Sequence, residues 1–450
     1  MWPAYNFHTI SLRPRARGRI FFVVSVLVFL IFYICLSPLI FNYRQNESSR
    51  GEDHFEREDE EFCGDRFGAS YIRKFGESAT NYCEESALSR FTCFTHQTHK
   101  TKVDSFCIGM PAAVDPYGRS ISLHCPLGNW SAHRLENFPY YWYNTGPKAI
   151  IEQFIDFDGE GSGGRAADGR FVILVKREEA VDNLWHVLMQ VFSLWLSIKT
   201  LRSTIDMATL EPFYVESDVE RTQVIILDSW KPGPFMEFWG MFGEFSTAQL
   251  SDVSYLRSST VIIPLPGSSN TLWQGDWEEI DCGKSTLLEE FSETVLDHFN
   301  ISYTPSNELT LTWIDRRTSR KLLRQQSHLA SLEKMFPDVK IQIVDFAKMS
   351  ITAQIEVARS TNILAGVHGA GLGHGFWLRS GSTIVEVQPP NLKFKGFRNM
   401  ATLLGHNYFT AEASNVNYDG VSGDWHWDDV NVEEERFLAL MGDAIRSYNR

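Results

Sequence analysis

Apolar runs and helical segments alternate strictly through the C-terminal half of the chain, and this alternation constrains the fold more than any other feature. LTLTWID (309–315), KIQIVDF (340–346), TNILAGV (361–367) and STIVEVQP (382–389) read as buried strands. Between and after them SRKLLRQQSHLASLEKMF (319–336), SITAQIEVARS (350–360) and KGFRNMATLL (395–404) read as helices. Continuous β-branched runs suit strands covered on both faces, and strands separated by helical crossovers pair in parallel. A doubly wound sheet follows, with ligands expected beyond the carboxyl ends of its strands. A first unit of the same kind precedes it, with strands RFVILVK (170–176), TQVIILD (222–228) and STVIIPLP (259–266) and a helix over 183–201 that is apolar on most of its circumference. Two such domains facing each other make a cleft. A last amphipathic helix from about Val432 to Arg446 is expected to cross back onto the first domain.

The 450 residues suit two domains of roughly 150–200 residues each. A formal charge of −14 excludes nucleic-acid binding as the main task, since phosphate backbones require a basic face. FFVVSVLVFLIFYICLSPLIF (21–41) carries no charge and is long enough for one transmembrane helix. Arg13, Arg15, Arg17 and Arg19 precede it and acidic residues follow, so residues 1–20 are expected to stay cytoplasmic. The chain then reads as a single-pass type II protein of the Golgi or endoplasmic reticulum membrane, its body lumenal. A cleaved signal peptide is the rival reading, disfavoured by the length of the apolar run and the lack of a small-residue cleavage site. Residues 42–61 are charged and poor in apolar side chains, as in a stem. Residues 62–300 form the Cys-rich lead-in, irregular to Trp142, and the first domain. Residues 301–412 form the second domain, and 413–450 a closing loop and helix.

Cys63, Cys83, Cys93, Cys107, Cys125 and Cys282 are an even set beyond the apolar run and are expected as disulfides, with fifteen pairings open. The spacing of Cys93, His96 and His99 allows zinc, but thiols in an oxidising compartment are more often bridged, so no metal site is assigned. Asn46, Asn129 and Asn300 head glycosylation sequons, of which Asn129 and Asn300 are expected to be used because Asn46 lies close to the membrane.

Chemistry concentrates in ILAGVHGAGLGHGFWL (363–378), where five glycines surround two histidines between a strand and a helix. Glycine lets backbone N–H groups approach a ligand closely, and a helix N-terminus favours anions. His368, Gly369, Ala370, Gly371, Leu372 and Gly373 are therefore expected to cradle a diphosphate. The P-loop and dinucleotide fingerprints are absent, which weakens kinase and dehydrogenase readings. Arg316, Arg317 and Arg320 fall where strand 309–315 meets its helix, on the same rim, and guanidinium forks suit phosphate oxygens.

HGAGLGHGFWLRSGSTIVEVQP, with IDRRTSRKLL upstream and DNLWHVLMQVFSLW earlier, resembles glycosyltransferase family 61, and the similarity runs from Phe62 to about Glu412. The resemblance implies a GT-B-like fold of two Rossmann-type domains, a UDP-sugar donor, inversion at the anomeric carbon, and a protein or glycan hydroxyl as acceptor. It implies that Arg316, Arg317 or Arg320 stabilises departing UDP and that His186 acts on the acceptor hydroxyl, an imidazole being suited to take a proton near neutral pH. Glu386 is a carboxylate on an apolar strand that needs partners, ribose hydroxyls or a cleft arginine. Asp156 and Asp158 form a D-x-D element readable as an acidic loop, an acceptor contact or a divalent-cation site, and no cofactor is required.

Three positions depart from the family pattern. Gln190 stands four residues after His186, where an acidic residue is common. The usual leucine–threonine–asparagine/histidine step is Leu372-Gly373-His374, and the chain ends SYNR without a retrieval signal. The first departure leaves a catalytically inactive nucleotide-sugar- or glycan-binding relative as the alternative function. The topology is checked by protease treatment of sealed microsomes: the body after residue 61 should be protected until detergent is added, and cleavage without detergent would contradict a lumenal body.

Overall fold

The computed structural model describes residues 61–99, 102–128, 138–157, 169–302, 308–414 and 424–448. The tail and apolar run expected over residues 1–41, the stem expected over 42–61 except Glu61, which already starts a helix, and Asn129 and Asp158 lie outside the described residues. From Cys63 onward the chain is one compact unit built on two main sheets.

The first sheet contains β1 (Arg90–His99), β2 (Lys102–Asp115) and β3 (Phe171–Val175). Helix α1 (Leu184–Ser203) follows, then β4 (Thr222–Ile226), β5 (Phe245–Gln249) and β6 (Leu256–Ile263). β5, β4, β3 and β6 pair in parallel in that spatial order. β2 then pairs antiparallel with β6 and β1 antiparallel with β2. The sheet is therefore mixed rather than purely doubly wound. The lead-in that reads as irregular in sequence supplies this long hairpin, because its cysteines are ladder partners: Cys93 and Cys107 stand opposite each other in register and are bridged. The other bridges join Cys63 to Cys282 and Cys83 to Cys125, which selects one of the fifteen pairings.

Helix α2 (Thr286–His298) leads to the second sheet. Its elements are β7 (Leu309–Ile314), α3 (Gln325–Met335), β8 (Val339–Val344), α4 (Ile351–Arg359), β9 (Ile363–Val367), β10 (Thr383–Gln388), α5 (Gly396–Leu403) and β11 (Asn407–Glu412). All five strands are parallel, in the order β8-β7-β9-β10-β11. The chain winds outward from β7 to β8 and then returns to continue at β9, so the β7–β9 boundary is the switch point where such sheets open a crevice. The final helix α6 (Glu434–Tyr448) does not cross to the first sheet. Its apolar face of Phe437, Met441, Ala444 and Ile445 packs with Leu311, Trp313 and Val385 of the second.

Helix α1 joins the halves. Asn183 caps it by accepting the N–H of Trp185, and nearly all of its residues are buried. Among the described residues it is the one helix long and apolar enough to cross a membrane, yet it is core. One cluster links its Leu184, Trp185 and Leu188 to Leu372, Phe376 and Phe397 of the second half.

The first half also buries charge. Asp104 is wholly inside, accepting from Tyr71 Oη at 2.7 Å and from the Gln274 amide, and burial pushes its carboxyl up to about 7. The folded chain therefore keeps a proton that the unfolded chain releases near pH ~4, and stability falls as pH rises between these values by at most roughly 1.4 kcal/mol per unit from this group. Asp104→Asn mimics the protonated acid and should flatten the decline of Tm from about pH 4 to about pH 7. An unchanged slope in thermal melts would rule the group out as its source.

Candidate functional site

A cavity of about 650 Å³ is lined by residues of both halves. On its first-half wall, His186 lies in the opening turn of α1, and its Nδ1 is 2.7 Å from Oε2 of Glu178. Glu178 follows β3 at the carboxyl end of the strand and is fully buried, and burial pushes its carboxyl above the usual carboxylate range. With Nδ1–H donated to this carboxylate, Nε2 is the ring nitrogen left for a ligand. Tyr143 and Trp273 meet the imidazole edge-on, with centroids at 5.4 and 4.9 Å, and so limit its tilt. Asp276 lines the same cavity, and burial pushes its carboxyl up to about 7, with Lys102 acting in the opposite sense.

The second-half wall is the switch point. His368 directly follows β9, its Nδ1 2.5 Å from Oε1 of the fully buried Glu386 on β10. Tyr408 donates its hydroxyl to the other oxygen of Glu386. Glu386 thus orients His368 from behind and does not reach the cavity, so the expected ribose contact is replaced by a histidine and a tyrosine. Two histidines, one from each half, are each held at Nδ1 by a buried carboxylate.

Beside His368 are two guanidinium groups without carboxylate partners among the described residues. Arg316, after β7, donates Nε–H to the Ser319 carbonyl and lies under Gly369, where a Cβ would meet its Nη1 at 2.0 Å. Arg320 lines the cavity, lies over the Trp425 ring at 5.6 Å, and holds a left-handed backbone at φ 54°. Burial, and secondarily Arg316, pushes Arg320 down to about 10, while burial lowers Arg316. Two desolvated cations side by side are costly unless an anion joins them. Arg317 behaves differently. It is exposed, pairs with Asp315 at 2.5 Å, and is not part of the cavity wall.

The glycine cluster divides by role. Gly369 and Ala370 line the cavity, but Leu372 and Gly373 are buried in a 3-10 turn spanning Ala370–Trp377. A Cβ on Gly371 would press on Ile314 at 3.1 Å, and one on Gly373 would touch Leu188 at 3.4 Å. The missing Cβ atoms of Gly371 and Gly373 thus make room for close packing, and none of Gly371, Leu372 and Gly373 lines the cavity. His374 is also core: Nδ1 and Nε2 bond to the Gly371 carbonyl and to Gln354, and burial pushes it down to about 4.

Asp156 lies on a two-residue strand paired with Ser122 at the edge of the first sheet and does not line the cavity. No cluster of three metal-ligating side chains occurs among the described residues. Asn300 is exposed at the end of α2, open to modification. Sequence reasoning passed over Glu178, Tyr143, Trp273, Asp276 and Trp425. The strand-end rule that found Arg316 would have found Glu178 had it been applied to β3. The others are brought in by loops whose path the sequence does not state.

Residues 272–385 match the sequence model of the family described as Glycosyltransferase 61. The match covers Trp273, Asp276, Arg316, Arg320 and His368 and leaves out Glu178 and His186. The chain is 28% identical over 253 residues to the EGF domain-specific O-linked N-acetylglucosamine transferase of Drosophila melanogaster, covering 54% of this chain and 46% of the relative. It is 24% identical over 188 residues to the protein of that name from Canis lupus familiaris, covering 40% and 36%. For the Xenopus laevis protein of that name the figures are 26% over 186 residues, 40% and 35%. The chain thus spans less than half the length of these relatives. The matched segment and the relatives agree with the resemblance carried by His368 to Leu372 and its flanking strands, and together they support a family 61 glycosyltransferase.

Proposed function

We propose that the chain transfers a sugar from a UDP-sugar to a protein or glycan hydroxyl in the secretory lumen, with inversion, from a GT-B-like cleft between its two halves. The carrying observation is the polarity of the cavity: a carboxylate-backed imidazole on one wall, and on the other Arg320 and a glycine turn with Arg316 beneath it, neither guanidinium having a carboxylate partner among the described residues. N-acetylglucosamine is the sugar that the names of the relatives favour, and three disulfides accord with an oxidising compartment.

In this reading the acceptor hydroxyl gives its proton to His186 Nε2 as its oxygen attacks the anomeric carbon. The bond from that carbon to the diphosphate breaks on the opposite face, and its electron pair goes to the phosphate oxygen. Glu178 stabilises the imidazolium that forms, while Arg316 and Arg320 meet the growing charge on UDP. Attack on one face and departure from the other is a single displacement, hence inversion. The inactive-relative alternative draws on Gln190. Glu178 supplies a carboxylate from elsewhere in the chain, which supports turnover.

His186→Ala should abolish transfer while UDP still binds in calorimetry, and Glu178→Gln should lower kcat by about a hundredfold. Retained transfer in His186→Ala would sink the base assignment. Arg320→Ala should lose about 3 kcal/mol of transition-state stabilisation, read as kcat/KM, with little change in Tm. Arg317→Ala should stay near the parent rate, and a large loss there would place the wrong arginine at the diphosphate.

A further inference from the structure

Gln190 lies one turn beyond His186 on the buried face of α1. Its side-chain amide spans both members of the proton-accepting pair. Oε1 accepts the backbone N–H of Glu178 at 3.1 Å, and Nε2 donates to the backbone carbonyl of His186 at 3.1 Å. A single planar group thus ties the loop after β3 to the first turns of α1, where the two side chains must meet.

Gly267 closes over this arrangement. A Cβ there would stand 2.6 Å from Gln190 Cγ and 2.8 Å from Glu178 Oε1, so hydrogen alone fits. Among the described residues Oε1 of Glu178 is buried without a hydrogen-bond partner, and the side-chain hydrogen bond of the carboxylate is to His186.

A carboxylate at position 190 could still accept from Glu178 N–H. It would lose the donor that the His186 carbonyl receives, set an oxygen against an oxygen, and bring a second acid beside Glu178 in a desolvated pocket. We infer that Gln190 is a positioning residue whose neutral amide holds Glu178 and His186 in register, so that glutamine at this position is a requirement of this site rather than the loss of a base. The inference rests on the proposed role of His186 and goes beyond it by saying why the site excludes an acid where the family commonly has one.

The test uses the full chain with Gln190→Glu, Gln190→Met and Gln190→Glu/Glu178→Gln, measuring steady-state transfer and thermal melting. Gln190→Glu should lower kcat by about tenfold or more, with KM for the UDP-sugar within about threefold, because misaligned reacting groups slow chemistry more than binding. The double variant should remain slow, since a carboxylate at 190 faces the His186 carbonyl rather than its ring. Gln190→Met keeps the volume without either hydrogen bond, so it should also lose kcat and serves if the charged variant does not fold. A rate at or above the parent in Gln190→Glu, or an unchanged kcat in Gln190→Met, would overturn the inference. Those outcomes alongside a dead His186→Ala would overturn the positioning role alone, whereas an active His186→Ala removes the underlying reading.

Discussion

Burial of helix α1 on nearly every face is the constraint from which the site follows. A helix that cannot expose a face to water must be covered all round, here by the helix Ala69–Glu77 and the turns Gly267–Ser269 and Ala370–Trp377, and this one is capped at Asn183 so that its first turn, with Trp185 and His186, ends at the cavity. Trp185 packs edge-on to Phe397 at 5.0 Å and lines the cavity, while Leu188 supports Gly373. Apolar packing between halves thus sets the gap across which His186 faces the switch point. Burial of Val, Leu, Phe and Met side chains is worth about 1.5–3 kcal/mol each, so the frame is held far more firmly than surface ion pairs could hold it.

Within that frame the charges are arranged asymmetrically. Lys199 with Glu290 and Arg202 with Glu216 are neutralised pairs around a second cavity of about 530 Å³ beside the far end of α1. Glu293 and Asp297 line that cavity as well, so acids outnumber bases on its wall. The first cavity has Arg320 on its wall against Trp425 and Arg316 beneath Gly369, both without a carboxylate partner among the described residues, an arrangement that gains stability when an anion enters. Two of the acids are held away from these cations: Glu178 and Glu386 each stand behind a histidine, on Nδ1, fully buried.

The second sheet was legible because its strands are continuous apolar runs at regular spacing, and the rule that ligands gather at strand ends led to Arg316, Arg320 and His368. The first sheet was less legible. Its hairpin over Arg90–His99 and Lys102–Asp115 lies in a Cys-rich segment whose cysteines suggest loops until their register is known. The glycines misled in a different way: Gly371 and Gly373 fit a ligand cradle in sequence, yet their missing Cβ atoms make room for Ile314 and Leu188. Spacing cannot distinguish a glycine that admits a ligand from one that admits a side chain.

By itself the sequence determined the parallel C-terminal sheet, the buried helix over 183–201, the disulfide-rich body and the resemblance that led to the family, since each rests on local periodicity or on a contiguous motif. Tertiary structure decided the partners. Glu178 reaches His186 from the end of another strand, Glu386 turns from ligand contact to support of His368, Arg317 leaves the site by pairing with Asp315, and Gln190 changes from a missing acid into a bridge. Each of these depends on where side chains far apart along the chain converge, and hydrogen-bond partnership, unlike periodicity, leaves no trace in linear order.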